Sequence, residues 1–247
     1  MEIVQRTRPG ASRSADIVRH YRPDLSAHDI ELIAGLPVLR ADRTAVDCAL
    51  GSEPPIALAI VDSALRQMAG VTRFDRVGSI ERQDPIRERF LELVEERGSV
   101  RHARRARAVI RHASGLAEFA GESWMRWLAL AHGLPIPELQ LPIDVSGTTL
   151  YPDLMWTAPI LDRRRPVIAE YDGVDKYGLD GNPGLAVVEQ TDREQRLVDV
   201  TRATFLRFTR YDRKNLETAA RRLLRAFPGV AREPRPELLT RPTQRPG

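Results

Sequence analysis

The order of hydrophobic patterns between residues 117 and 227 constrains the fold of this chain more than any other feature. A helical pattern at "AGESWMRWLALAHG" precedes three short β-like runs, found in "LPIPELQLPIDV", "TTLYPDLMW" and "RPVIAEYDG". A helical pattern over 186–200, the strand "TFLRFTR" and the helix "LETAARRLLRAF" complete the series. This order predicts an α+β or α/β module of about 110 residues.

The patterns outside this module divide the chain into three segments. Helices are predicted at "LSAHDIELIAG", "RADRTAVDCALG", "EPPIALAIVDSALRQMAG" and "DPIRERFLELVEERG", which makes residues 1–105 an α-helical region. Its first 20 residues are polar and arginine-rich and are expected to be loosely ordered. The module is assigned to 106–228, and the proline- and arginine-rich residues 229–247 are predicted to be a disordered tail.

The composition limits the kinds of site that the chain can carry. No apolar run has the length of a membrane span and no signal segment follows Met1, so a cytoplasmic protein with no membrane partner is expected. The single Cys48 excludes an internal disulfide framework and a cysteine-built zinc site, and the five histidines show no paired metal spacing. A bound metal is therefore expected to be a hard ion on carboxylate oxygens, Mg²⁺ or Mn²⁺.

The segment "VIAEYDGVDKYG" places carboxylates at the end of an apolar strand. Because alternate side chains of a strand share a face, Glu170 and Asp172 are predicted to point the same way. The run "TLYPDLMW" supplies Asp153 on a preceding strand, and a hairpin can bring it opposite Glu170. Converging carboxylates bind Mg²⁺, which can polarise a phosphate oxygen and lower the pKa of a bound water. Acidic residues at strand ends are also often only solvated, so the pattern by itself leaves both interpretations open.

Arginine supplies nearly all the positive charge, and coding bias in a GC-rich genome is a sufficient explanation. The segment "RHARRARAVIRHA", with Arg104 and Arg105, is either a helix with a basic face for phosphate contacts or a solvated face. Arg193 and Arg196 lie one turn apart on the helix predicted after the acidic strand. They either clamp a phosphate or occupy an exposed helix face.

The series "GES", "GLPIPELQ", "YPDLMW", "VIAEYDGVDKYG", "REQRL" and "FLRFTRYD" resembles a nuclease-like domain found in many actinobacterial proteins. That domain is related to the very-short-patch-repair endonucleases and belongs to the PD-(D/E)XK restriction-endonuclease-like superfamily. The resemblance covers residues 115–227. It implies an α+β fold of the α/β/α sandwich type, with a central mixed sheet flanked by helices.

The resemblance also implies a reaction and assigns roles to residues. A helix glutamate and the acidic residues of two strands form the family's metal site, and they match Glu122, Asp153 and Glu170. The expected activity is Mg²⁺-dependent (or Mn²⁺-dependent) hydrolysis of DNA phosphodiester bonds by an endonuclease. Asp172 would complete the metal shell or position the attacking water, and Lys176 would stabilise the charge that develops on the phosphate.

Three further positions bear on this resemblance. Gln140 matches a recurrent family glutamine that supports the fold or backbone contacts. The superfamily's lysine two positions after the strand glutamate is Asp172 here, as in many members of this subgroup. A Glu-Lys pair of the following helix reads Glu189-Gln190. These departures support an alternative, in which a degenerate nuclease fold acts as a DNA-binding, antitoxin-like transcriptional regulator.

The segment "GLPVLRADRTAVDCAL" resembles, more weakly, the region beside such domains in AbiEi-type antitoxin or regulator proteins. A winged helix-turn-helix usually precedes this region in those relatives, and this chain is expected to lack it. Two kinds of partner are left open, a second copy of the chain and a regulatory protein. A third interpretation of the chain itself is also left open, in which it is the partner protein of a nucleotidyltransferase and makes no nucleic-acid contact. The residues of this segment that stand out, Asp42, Arg43, Thr44 and Asp47, are interpreted as helix capping and local ion pairing.

Overall fold

The structure is a computed structural model that describes residues 2–6, 18–161, 165–172 and 183–240. It is an α+β fold in which most helices precede a small mixed sheet. The helices before the sheet are α1 (Ala41–Gly51), α2 (Pro54–Met68), α3 (Arg76–Glu95), α4 (Ala103–His112) and α5 (Ala120–Ala131). No helix within the described ranges has both the length and the hydropathy that a membrane span requires.

The N-terminal residues form strands where the sequence predicts loose order and then a helix. Strand β1 (Glu2–Gln5) pairs in parallel with β2 (Val18–Tyr21), and β3 (Ile30–Ile33) pairs antiparallel with β4 (Leu36–Leu39). The helix predicted at "LSAHDIELIAG" is therefore wrong. Its glycine, interpreted as a helix stop, instead follows an alanine that also has positive φ, and the two residues close a hairpin turn.

Helices α1, α2, α4 and α5 follow their predicted patterns, whereas α3 begins earlier than predicted. The prediction places its start near Asp84 because Pro85 follows there. In the structure, the Asp75 side chain accepts a hydrogen bond from the backbone N–H of Gly78, so the helix is capped upstream and Pro85 lies inside it. A favourable N-cap thus outweighs the boundary signal of a proline.

One hydrophobic core joins the N-terminal helices to the rest of the chain. Buried residues of α1 to α4, such as Leu58 and Phe90, belong to the same core as Met125 and Leu128 of α5. The domain boundary predicted at residue 105 falls within α4, which packs against α1, α2 and α3. The helical region and the sheet region are therefore packed together and share their core.

The second half of the chain contains the sheet and the helices that cover it. Its elements are, in order, β5 (Glu138–Leu139), β6 (Ile143–Val145), β7 (Thr148–Leu150), β8 (Leu154–Trp156), α6 (Ala158–Leu161), β9 (Val167–Asp172), α7 (Pro183–Thr201), β10 (Thr204–Thr209) and α8 (Leu216–Arg225). The sheet order is β10-β9-β8-β5. Strands β9 and β10 are parallel, while β8 is antiparallel to both β9 and β5. Strands β6 and β7 form a separate hairpin.

The two faces of the sheet contribute to different apolar clusters. Trp156 and Ala169 face the large core, which contains α5 and α8. Met155 and Ile168, their neighbours along the strands, pack with Leu197 of α7. Because successive strand residues point to opposite faces, the sheet is covered by helices on both sides.

Residues 229–240 pack against α5, in contrast to the disordered tail predicted for this segment. Leu238 is buried, and its carbonyl accepts a hydrogen bond from Nε1 of Trp127 at 2.8 Å. The backbone N–H of Glu233 donates to the carbonyl of Gly133 at 2.8 Å, and a Cβ at Gly133 would lie 2.7 Å from the Glu233 carbonyl oxygen. The prediction relied on proline and arginine content. Composition does not reveal specific contacts such as these hydrogen bonds. Residues 241–247 lie outside the described ranges.

Candidate functional site

A single cavity of about 480 Å³ brings together the acidic residues that the sequence singles out. Its lining includes Glu122, Asp153, Glu170 and Asp172. Glu122 lies in the first turn of α5, Asp153 directly precedes β8, and the other two end β9. All three predicted metal ligands therefore face the same cavity, as does the predicted water-positioning aspartate.

The pairing of β8 with β9 sets the positions of Asp153 and Glu170. Leu154 pairs with Ala169 in an antiparallel register, so Asp153 and Glu170 are the next positions along the two chains. The backbone N–H of Tyr171 donates a hydrogen bond to Oδ2 of Asp153 at 2.8 Å. This contact fixes the Asp153 carboxylate against the backbone of β9 near its C-terminal end.

Glu122 reaches the cavity because α5 approaches β9 closely at Gly121. A Cβ at position 121 would lie 2.1 Å from Cδ1 of Tyr171, so the position excludes larger residues. The Glu122 side chain is only 4% exposed, and its Oε2 accepts a hydrogen bond from the backbone N–H of Glu118 at 2.8 Å. Nε2 of the buried Gln140 donates to the same oxygen at 3.4 Å, which gives the glutamine a supporting contact to the site.

The electrostatics of the cavity disfavour additional negative charge. Burial, and after it the nearby charge of Asp153, raise the pKa of the Glu122 carboxyl to about 8. Burial also raises the pKa of Glu170, although Arg193 opposes this effect. A proton or a cation in the cavity therefore relieves an unfavourable concentration of carboxylates.

The cavity offers the type of ligand atom, carboxylate oxygen, that a hard divalent cation binds. Carboxylate oxygens are the ligands that Mg²⁺ and Mn²⁺ prefer, and the repulsion between Glu122 and Asp153 is what such an ion would neutralise. In the described part of the chain, no three His, Cys, Asp or Glu side chains are grouped closely enough to hold a metal in their present positions. In this arrangement Glu170 is paired with an arginine.

That arginine is Arg193 of α7, which binds both β9 and the segment between β7 and β8. Its Nη1 donates to Oε1 of Glu170 at 2.6 Å, and its Nη2 donates to the carbonyl of Tyr151 at 2.7 Å. Arg196, the other arginine predicted on this helix, forms an ion pair with Asp192 at 3.8 Å and does not line the cavity. Of the two, Arg193 is therefore the one in position to contact a ligand there.

The remaining predicted residues lie elsewhere. Arg104 and Arg105 line a different pocket, formed by α4 and the C-terminal segment. Arg104 pairs with Glu237 at 2.6 Å, and Arg105 donates to the carbonyl of Leu50 at 3.2 Å. Lys176 lies outside the described residues, so the structure gives no position for the predicted catalytic lysine.

The cavity also contains residues that sequence reasoning missed. Arg73 belongs to the short 3-10 turn Arg73–Asp75 before α3, and it pairs with Glu118 at 3.2 Å. Phe119 and Tyr151 line the cavity from the segments before α5 and β8. No motif links residue 73 to the acidic strands, and only the packing of the helical region against α5 brings Arg73 to the site.

Comparison with known proteins identifies relatives but no family. No protein-family model and no solved structure matches the chain. Two curated proteins from two strains of Mycobacterium tuberculosis, named Uncharacterized protein Rv2248 and Uncharacterized protein MT2308, are each 35% identical to it over 133 residues. The match covers 53% of this chain and 41% of each relative, so the aligned region is less than half the relatives' length.

Proposed function

We propose that the chain is a Mg²⁺- or Mn²⁺-dependent endonuclease that hydrolyses phosphodiester bonds in DNA. The observation that carries this proposal is the convergence of Glu122, Asp153, Glu170 and Asp172 on one cavity. These side chains come from three separated parts of the sequence. Their match to the acidic positions of the PD-(D/E)XK pattern supports the choice of reaction.

The carboxylates have different roles in binding the ion. Asp153 and Glu170 would ligate it, and Glu122 would assist directly or through a water. When bound, the ion would polarise a phosphate oxygen and lower the pKa of a ligated water. Asp172, the last residue of β9 and half-buried, would accept a hydrogen bond from the attacking water and orient it.

Arg193 would change partners when substrate enters. In the structure its guanidinium satisfies Glu170 and the Tyr151 carbonyl. A phosphate can accept both N–H groups of a guanidinium with its own oxygens, which carry more negative charge than a carbonyl oxygen. A phosphate in the cavity would therefore draw Arg193 away and leave Glu170 available to the ion.

Calorimetric titration with Mg²⁺ and with Mn²⁺ tests the proposal. The wild-type chain is expected to bind, and the double variant Asp153→Ala/Glu170→Ala is expected not to. A matched control, Asp144→Ala/Glu217→Ala, removes two carboxylates outside the cavity lining and should bind as the wild type does. Cleavage would then be screened on single-stranded, nicked and mismatched DNA. The proposal fails if the wild type binds neither ion, with or without DNA, and cuts none of these substrates.

The ion pair between Arg193 and Glu170 favours a second candidate function. An internal arginine can supply the positive charge that the acidic site needs, as expected for a degenerate nuclease fold that binds DNA as an antitoxin-like regulator. This candidate predicts equal DNA affinity in EDTA and in Mg²⁺, and no cleavage. The endonuclease predicts cleavage that Asp153→Asn abolishes while DNA binding persists.

A further inference from the structure

Exposed aromatic rings stand beside the acidic cavity. Phe119 lines the cavity and is 60% exposed. Phe74, which contacts a residue of the cavity lining, is 76% exposed. The Phe74 ring meets the ring of the cavity residue Tyr151 edge to face, with centroids 5.9 Å apart and planes at 81°. Aromatic side chains contribute most to stability when they are buried, so rings kept exposed at a cavity edge indicate a ligand that covers them.

A guanidinium lies among these rings. The Cζ atom of Arg73 is 5.3 Å from the ring centroid of Phe74 and 5.3 Å from that of Tyr151. We name Arg73, Phe74, Phe119 and Tyr151 the aromatic rim. Aromatic faces and arginine planes are the two kinds of surface on which unpaired nucleobases stack.

The surroundings of the aromatic rim identify the ligand further. Charged groups lie close to the rings, since Glu118 pairs with Arg73 and the acidic residues line the same cavity as Phe119 and Tyr151. A protein partner docking through apolar side chains would have to desolvate these charges, which is unfavourable. A nucleic-acid strand presents flat apolar faces and a solvated phosphate chain together. Paired bases in a duplex are already stacked on each other and offer no such faces.

We infer that the aromatic rim binds the unpaired bases of single-stranded DNA beside the acidic cavity, so that the adjoining phosphate reaches the cavity when a cation neutralises its carboxylates. As a statement about the substrate of cleavage, this inference rests on the proposed function. As a statement about binding, it does not. The rim residues come from the turn before α3 and the segments before α5 and β8, so the helical region contributes directly to substrate choice.

The test measures binding in EDTA, where no metal-dependent cleavage takes place. The probes are a fluorescein-labelled oligothymidylate of about 12 nucleotides, an abasic strand of the same length, the matching duplex, and an oligouridylate. Fluorescence anisotropy is expected to show the tightest binding for the oligothymidylate. The abasic strand keeps every phosphate, so its weaker binding isolates the contribution of the bases.

The variants Phe74→Leu and Phe119→Leu test the rings themselves. Each is expected to weaken oligothymidylate binding on the order of 5- to 100-fold, because a base that stacks on an aromatic ring depends on it to this extent. Phe119→Trp should retain binding. The matched control is Tyr211→Leu, since Tyr211 is equally exposed and lies beside Arg210 but does not line the cavity. The exposed rings can be replaced without loss of core packing, which circular dichroism would verify.

The outcomes separate this inference from the proposed function. Equal affinity for the abasic strand, unchanged affinity in both leucine variants, or tighter binding of duplex or oligouridylate would each overturn the inference. A protein that cuts no DNA but shows the base-dependent, ring-dependent binding would support the inference while the endonuclease proposal fails. A protein that cuts DNA but binds the abasic strand equally well would support only the endonuclease.

Discussion

Glu122 is a carboxyl group held where its charged form is unfavourable. In the folded protein its pKa lies near 8, because it is buried and faces Asp153, against an ordinary value of 4.5. Between pH 4.5 and pH 8, the Glu122 carboxyl therefore stays protonated in the folded state but is ionised in the unfolded state. The contribution of this group to the free energy of unfolding is therefore most favourable below about pH 4.5 and decreases as the pH rises towards 8.

Replacing Glu122 by glutamine should remove this pH dependence. Glu122→Gln keeps the shape and the hydrogen-bonding capacity but cannot ionise, so its stability relative to the wild type should increase as the pH rises from 5 to 8. Urea denaturation of both proteins in EDTA, at pH 5, 6.5 and 8, measures the difference. Parallel stability curves for the two proteins would show that Glu122 does not titrate in this range.

Which site residues could be predicted depended on how local their placement is. The alternation of Glu170 and Asp172, and the position of Asp153 opposite Glu170, follow from strand geometry over a few residues, and the structure places them accordingly. Arg73 reaches the cavity only through the packing of the helical region against α5, and Phe119 carries no motif although it directly precedes that helix. A single sequence carries no periodic signal for such contacts.

At the scale of elements, the approach of α5 to β9 decides where Glu122 lies. Gly121→Ala would place a methyl group against the ring of Tyr171, which itself packs edge to face on Trp124. The ring cannot move without disturbing that contact. We expect a loss of about 1–3 kcal/mol in the free energy of unfolding, together with weaker binding of any ligand that depends on Glu122.

Urea denaturation of Gly121→Ala and of a control, Gly51→Ala, measures this effect. A Cβ at Gly51 meets nothing within 4 Å, and the residue ends α1 without positive φ. The control should therefore be neutral or more stable by up to about 1 kcal/mol, because alanine favours the helix. Equal effects at both positions would contradict the proposed contact with Tyr171.

Element types were predicted well where patterns are long and poorly where they are short. Helices such as α2 and α5 extend over three turns or more, and their apolar faces repeat often enough to be recognised. The segment 25–35 is short, and its serine and glycine fit a capped helix as well as a strand and a hairpin turn. The pairing of β3 with β4 decided between these possibilities.

At the scale of the whole molecule, a buried ion pair joins the two halves of the chain. Asp62 of α2 and Arg126 of α5 are almost inaccessible to solvent, and the Asp62 carboxylate also accepts a hydrogen bond from the backbone N–H of Ser114 at 2.7 Å. Asp62→Ala would leave the arginine charge buried without its partner. We expect a loss of about 3–5 kcal/mol in the free energy of unfolding.

Denaturation of Asp62→Ala beside Asp84→Ala checks this expectation. Asp84 pairs with Arg87 at the surface, so removing it should change stability by less than about 1 kcal/mol. The double variant Asp62→Leu/Arg126→Met should recover much of the loss, since it leaves no unpaired buried charge. A small effect of Asp62→Ala would mean that the pair contributes little to joining α2 and α5.

The continuous core predicts that the chain unfolds in one transition. Fluorescence of the three tryptophans, Trp124, Trp127 and Trp156, reports on α5 and the sheet, while the reactivity of Cys48 reports on α1. Both probes should give the same urea midpoint. Exposure of Cys48 at a clearly lower urea concentration would show that the helical region unfolds separately, as a boundary at residue 105 implies.

The contacts between α2 and α5 also have a consequence for the evolution of the sequence. If recombination joined the first half of this gene to the second half of a distant relative's, Asp62 would face whatever residue that relative carries in place of Arg126. Arg73 would likewise face the relative's cavity lining. A mismatched residue at either contact would weaken the fold or alter the site of the recombinant protein. The two halves of the chain are therefore expected to diverge together, with paired changes on α2 and α5 along any lineage that keeps the protein.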